Sequence, residues 1–529
     1  MRQLLCKSFL ILAFLSYSIK ATAQLVPDSS LGTNSIVVPN QIINSTPSDL
    51  VNGGAIRGQT LFHSFRDFNI LYGRGVFFSN PTGINQIITR VTGGNSSLIQ
   101  GTLGVLGSAN LILINPNGIN FGPAARLDIS GSFLGSTASS VQLNNSRFSA
   151  LNPQPVPLLS ESIPIGLNFE VDAQPINIQG SGHSILLPPG FLPGLVTGAG
   201  ESTTGLHVQP GRSIALIGGN INLNGGIITA PSGQIELGSV ATGTVAINSL
   251  PIGWTFNYSS SIGFKNIQLD RLSLLDASGA GNGQIELRGD NISFFNGSFA
   301  LIQNISNLAG GEINVSANTL RIVGNNLGGP IYESVDPVFL GTQARSGIIS
   351  YNYNIGKGAN ITISAKDLII DAGGGVTTES IPIYANGGVT SGVGGDISIT
   401  ATNSIHNLEG STFFPIYNGG IIASNSAVSA SAGSVFPTTK QLINYSNIGT
   451  GTYGSGTGAK VKIDAESVLV DGFNLVSNAP HVISSFTAGS GKGGDIIINA
   501  KQVTVQNGAF ITTSTVNDGQ HPRLKHGGF

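Results

Sequence analysis

The sequence predicts an all-β fold, a solenoid of stacked strands, on three observations. Beyond the first 23 residues no stretch holds a 3.6-residue apolar period, and short alternating runs broken by Gly, Asn and Asp dominate. Glycine is abundant, 74 of 529 residues, while charged residues make up only 9 %, against roughly 25 % in ordinary globular proteins. A phrase also recurs in the C-terminal half: GQIELRGDNISFFNGS from Gly283, GEINVSANTLRIVG from Gly311, GANITISAKDLIIDAGG from Gly358, GDISITATNSIHNLEG from Gly395, GAKVKIDAESVLVDG from Gly458 and GDIIINAKQVTVQNGA from Gly494. Each reads as Gly, a small or polar residue, two apolar positions one apart, a break, and a second alternating strand. Unevenly spaced copies signal stacked strand repeats with insertions. A propeller would need regular repeats of about 40–50 residues with a signature dipeptide, and none is present.

The elements follow in chain order. Arg2 and Lys7 precede an apolar run at 8–15, and the small residues 21–23 precede Gln24. Residues 1–23 therefore read as a cleaved signal peptide, because the run is too short to span a bilayer. The single cysteine, Cys6, falls inside it. The exported chain then has no disulfide, either because a large core needs no staple or because a disulfide would lock structure before a narrow export step. Residues 114–122 read INPNGINFG between two strand-like runs. Pro116 lacks the N–H a ladder needs, Pro116-Asn117 suits the centre of a type I turn, Gly118 can take positive φ, and Asn115 can bond back to the backbone. In the repeats, Ile361, Ile363, Leu368 and Ile370 are assigned to interior rows and Gly and Asn to corners. At roughly 25 residues per coil and about 4.8 Å per strand, the rod would be on the order of 100 Å long. The last nine residues, HPRLKHGGF, break the pattern without a cap, which leaves a truncated C-terminus as an open reading.

Residues 53–140 are the most informative. LFHSF at 61–65, the RVTGG…IQGTLG linker, and ANLILINPNGINFG followed by LDISGSF closely resemble the secretion domain of the filamentous haemagglutinin family, exoproteins of two-partner secretion in Gram-negative bacteria. The resemblance runs from about Gln24 to roughly residue 265; beyond that it is the general kinship of long β-helical exoproteins. It implies a right-handed parallel β-helix with short extra-helical antiparallel strands near the N-terminal cap. It divides the chain into a signal peptide (1–23), a two-partner-secretion domain (24–265) and degenerate β-helix repeats (266–529). It also implies a partner: an outer-membrane β-barrel transporter whose periplasmic domains recognise the N-terminal domain, with secretion or surface display as the outcome. Two Asn-Pro motifs mark such domains. The second is intact as Asn115, Pro116, Asn117, Gly118 and Ile119; the first is Asn80-Pro81 followed by Thr82, where many members carry Asn. Asn80, Pro81, Asn115, Pro116, Asn117 and Gly118 are thus the candidate transporter-recognition residues.

Catalytic chemistry is sparse by comparison. The 26 acidic residues are thinly spread and the seven His form no HExxH pair, so neither a carboxylate pair nor a metal or cofactor is expected. A net charge of −2 and one tryptophan, Trp254, argue against nucleic acid. GSGKGG at 489–494 lacks the Ser/Thr of a phosphate loop and no helix follows it. Arg288-Gly289-Asp290 spells an attachment tripeptide but sits inside a repeat phrase. The expected function is a non-enzymatic, adhesin-like exoprotein with a cell-surface or polysaccharide ligand. The alternatives are a secreted carbohydrate-active β-helix enzyme and a secretion domain released with a stub of solenoid.

Overall fold

The computed structural model describes residues 24–155, 163–185, 204–324, 345–381, 392–408, 421–426, 430–473 and 480–515, and the backbone of a hairpin at 383–385 and 388–390. Residues 1–23, expected to be a signal peptide, and the HPRLKHGGF tail lie outside these residues.

The chain winds as a parallel β-helix with three faces. On the first face, Thr60–Phe68, Gln86–Val91, Asn110–Ile114, Phe133–Ser136, Ser213–Gly218 and the start of Gln234–Leu250 stack in parallel. The ladder continues through Gly283–Arg288, Gly311–Ser316 and Asn360–Asp371 to Ile496–Asn499. A second face runs from Ser97–Ile99 through Ile119–Phe121, Ile176–Gln179 and Ile221–Asn224 to Gln502–Gln506. The third begins with Thr46–Gly53, Gly75–Ser79 and Thr102–Leu106 and is rebuilt from Leu206–His207 to Phe510–Thr515 as a ten-stranded sheet.

Parallel register turns sequence period into rows of side chains. Leu61, Ile87, Leu111, Phe133, Ile214, Ile235, Ile285, Ile313, Ile361, Ile397, Val435 and Val461 form one inward row, each at most 1 % exposed. Each buried side chain of this kind contributes about 1.5–3 kcal/mol. The expected interior residues Ile361, Ile363, Leu368 and Ile370 all lie in this core. Among the described residues thirteen strands stack on the first face, an axial length of about 60 Å at about 4.8 Å per step. The rod is shorter than expected because insertions and extra-helical strands take up much of the chain.

In the C-terminal coils part of the interior is polar. Ser350, Thr378, Ser424, Thr450 and Ser485 occupy one inward row of the third face. Four of its five hydroxyls reach corner carbonyls: Thr378 and Ser424 donate to Gly395 O at 2.7 and 3.2 Å, and Thr450 and Ser485 to Ala459 O at 3.0 and 2.9 Å. The Ser350 hydroxyl, at the start of the row, has no such partner.

Antiparallel strands are added at two places. Leu25–Pro27 and Ala55–Arg57 flank Thr60–Phe68, and Ser35–Ile43 flanks Thr46–Gly53, closing the N-terminal end. A second sheet, in the order Arg147–Ser149, Ser140–Leu143, Pro164–Phe169, the second half of Gln234–Leu250, and Gly253–Tyr258, lies over the outer side of the first face. Its Val141, Phe148, Leu167, Val245 and Trp254 pack with outward-facing Phe62, Ile88, Ile112, Leu134 and Ala215 in a second core. This explains the unbroken apolar run LILI at 111–114. Leu111 and Leu113 face the solenoid interior, and Ile112 and Ile114 face the covering sheet.

Candidate functional site

The second Asn-Pro motif is the corner between Asn110–Ile114 on the first face and Ile119–Phe121 on the second. Gly118 N–H donates to Asn115 O at 3.1 Å, closing a β-turn with Pro116 and Asn117 at its centre, and Gly118 takes φ 109°. The Asn115 side chain is fully buried. Its Nδ2 donates to Asn95 O and Ser97 Oγ, both at 3.0 Å, and its Oδ1 accepts from Asn117 N–H at 3.0 Å. Asn117 Nδ2 adds a bond to Gly93 O at 2.7 Å. The corner is thus tied to the previous coil through residues 93–97. Pro116 and Gly118 are buried and Asn117 is half-buried.

The first motif turns differently. Ile84 N–H donates to Pro81 O at 3.1 Å, so the turn spans residues 81–84, with Gly83 at its third position at φ 86°. Asn80 stands before the turn. Its Oδ1 accepts from Ala109 N–H at 3.0 Å and its Nδ2 donates to Ile84 O at 3.1 Å. Pro81 is exposed and Asn80 half-buried. This motif leads into the first-face strand Gln86–Val91, whereas the second leaves the neighbouring strand Asn110–Ile114 at its far end. The two motifs therefore sit at opposite edges of one face, not in one pocket.

Beside them lies a buried ionic network that the sequence reading passed over. Arg90, fully buried, donates through Nε to Ser64 Oγ at 2.9 Å, through Nη1 to Ser149 O at 3.0 Å, and through Nη2 to Ser30 Oγ at 2.9 Å and Gln154 O at 3.1 Å. Its guanidinium lies 4.3 Å from the centroid of the Phe148 ring. Ser64 Oγ passes a hydrogen bond to Asp28 at 2.9 Å, and Ser30 and Thr92 bond the same carboxylate. Burial pushes Arg90 down to about 10, opposed by Asp28. Burial works to raise Asp28, but the hydrogen bonds from Ser30, Thr92 and Ser64 prevail and hold it below the usual carboxylate value. The network joins the N-terminal segment, two first-face strands and the loop after the hairpin 140–149. The only sequence signal was one arginine in the apolar run QIITRV. His63, one coil earlier, is also buried, with Nδ1 3.0 Å from Ser35 Oγ, and burial pushes it down to about 3.

The remaining motifs are structural. Arg288 of the Arg-Gly-Asp tripeptide pairs with Glu286 at 2.9 Å, and Asp290 O accepts from Asn318 and Thr319 N–H; the tripeptide ends a strand and turns a corner. GSGKGG is also a corner, where Lys492 O accepts from Gly458 N–H at 2.8 Å and from Thr487 Oγ1 at 3.1 Å. Among the described residues no group of three or more His, Cys, Asp or Glu could hold a metal ion.

A β-helix with a closed N-terminal end, a laterally docked antiparallel sheet and two Asn-Pro corners, the second of them buried, defines a decorated parallel β-helix domain. Residues 23–287 match the TPS secretion domain family, and the chain belongs to that family, the filamentous haemagglutinin-type domain of two-partner secretion. Two solved structures resemble it. The HMW1 secretion domain from Haemophilus influenzae is 16 % identical, covering 89 % of this chain and 99 % of that one with a TM-score of 0.44. The filamentous hemagglutinin secretion domain is 14 % identical, covering 66 % of this chain and 97 % of that one with a TM-score of 0.24. No curated protein matches. TPS exoproteins are secreted across the Gram-negative outer membrane and are generally non-enzymatic, and the domain implies recognition by an outer-membrane transporter.

Proposed function

We propose that this protein is an adhesin-like exoprotein, delivered by a partner β-barrel transporter, whose bare β-helix faces engage a cell surface or polysaccharide. The observation that supports this is the change in the outward rows of the first face. Under the antiparallel sheet they are mostly apolar, Arg90 and Glu236 apart; beyond it one row reads Asn314, Thr362, Ser398 and then Phe436, and the other Ser316, Ser364, Thr400 and Thr438. This is a flat, mostly uncharged ladder of amides and hydroxyls suited to many shallow hydrogen bonds. A carbohydrate-active enzyme would instead need two accessible carboxylates converging on one bond. The same change supports the division at residues 265 and 266, since among the described residues the covering strands paired with Gln234–Leu250 end at Gly263–Phe264. Purified exported chain incubated with cells and a polysaccharide panel should bind without releasing new reducing ends or unsaturated sugars. Reproducible product would favour the enzyme.

Asn80, Pro81 and residues 115–118 are assigned to transporter recognition. The buried side chain of Asn115 has no free group in the folded domain, so the transporter reads this motif before the chain folds. Asn115→Ala should then leave the chain in the periplasm although the purified domain still folds. Export equal to wild type would remove Asn115 from recognition, and an export defect accompanied by a purified variant domain that no longer folds would reduce its role to the turn.

A further inference from the structure

At the sixth strand of the first face, Gln234–Leu250 runs out of the solenoid into the antiparallel sheet. Here the covered outward row Phe62, Ile88, Ile112, Leu134 and Ala215 gives way to Glu236 and, one coil on, Glu286. Glu236 is only 2 % exposed. Beside it Gly238 leaves a gap that the side chain of Tyr258 fills; a Cβ there would lie 2.1 Å from the phenolic oxygen. The Tyr258 hydroxyl donates to Glu236 Oε1 at 2.7 Å, and Gln234 Nε2 stands 3.5 Å from the other oxygen. Arg288, next in the row after Gly238, lies 5.6 Å from the Tyr258 ring centroid and pairs with Glu286 at 2.9 Å. On the opposite neighbour, Ser213–Gly218, the facing residue is Ala215. Glu312 adds a further negative charge next to Glu286. Two carboxyl groups, Glu236 and Glu286, thus share one guanidinium, and the more buried of them, Glu236, has no cation of its own.

We propose that the folded protein carries Glu236 as the neutral acid, and that Glu236 and Tyr258 form a proton-controlled latch holding the end of the antiparallel sheet on the solenoid. A buried carboxylate without its own counter-ion is expensive, whereas a neutral acid bonded to a phenol is not. Burial first, reinforced by Glu286 and opposed by Tyr258 and Arg288, pushes Glu236 from 4.5 up to about 8. Burial and Glu236 push the Tyr258 phenol well above its ordinary value, so it remains a donor. Because the folded value is the raised one, the latch has full strength below about 4.5 and weakens as pH rises toward about 8.

Hydrogen exchange of the full exported chain, corrected for intrinsic rates, tests this at the amides of Gly253–Tyr258. The opening equilibrium in wild type should rise with pH between about 5 and 8, by up to about tenfold per pH unit for one proton. Glu236→Gln keeps an acceptor for Tyr258 but has no proton to lose, so its profile should be flat and its protection at alkaline pH higher than wild type. Tyr258→Phe should lower protection at every pH and keep the slope. Glu286→Gln removes a repelling charge and frees Arg288 for Glu236, so the rise should start at the same pH but level off at a lower pH and be smaller in total. A flat wild-type profile, or a slope that survives in Glu236→Gln, overturns the latch. If Glu236→Gln does not fold, an unchanged profile in Glu286→Gln overturns it.

Discussion

Asn115 makes three side-chain hydrogen bonds in a site without solvent. Losing them strands buried partners, so Asn115→Ala should cost about 2–3 kcal/mol by denaturant unfolding, and Asn117→Ala, half-exposed, clearly less. Arg90 is the more consequential residue. Replacing it with Met leaves Asp28 and two backbone carbonyls without their cation or donor, an expected loss of about 3–5 kcal/mol. Pairing Arg90→Met with Asp28→Asn should recover part of it in a double-mutant cycle. His63 sets a pH dependence opposite in sign to that of Glu236. Its folded value is pushed from 6.5 down to about 3, so its contribution is complete above about 6.5 and is lost as pH falls toward 3. His63→Gln should flatten that part of the acid limb of a stability–pH curve.

The coils are held at strand spacing by corners where backbone meets backbone. A Cβ on Gly395 would lie 2.0 Å from Ala359 O, whereas one on Gly373 would meet nothing within 4 Å, although Gly373 has φ 85°. Gly395→Ala must push two coils apart and should lower the melting temperature markedly. Gly373→Ala carries only the left-handed backbone cost, about 1–2 kcal/mol, and Gly373→Asn less. If the two alanine variants melt together, corner spacing is not what limits the ladder. The covering antiparallel sheet is an element of a different kind. Its docking residues Phe148, Leu167 and Trp254 come from three separate segments, so its formation waits on closure of long loops.

Across the whole molecule stability is distributed along inward rows with no disulfide to concentrate it. Far-UV circular dichroism should show β structure, and a helical content above about 15 %, approaching half that of an ordinary domain, would be incompatible with the three-faced helix. What the sequence by itself determined is whatever rests on local rules. Period-two runs with repeated phrases placed Ile361, Ile363, Leu368 and Ile370 inside, and the stereochemistry of Pro116 and Gly118 placed a turn at 115–118. The same local rules did not foresee that the first motif turns one residue later, over 81–84, because Asn80 is drawn back to Ala109 on the next coil. Tertiary structure alone decided which outward side chains are covered. Phe62, Ile112, Arg90 and Glu236 all point away from the solenoid interior, and period two says no more than that. Their burial comes from strands as distant as Ser140–Leu143, Pro164–Phe169 and Gly253–Tyr258, and the ionisation of Arg90 and Glu236 follows from that burial, a property of neighbours in space that no neighbour in sequence reports.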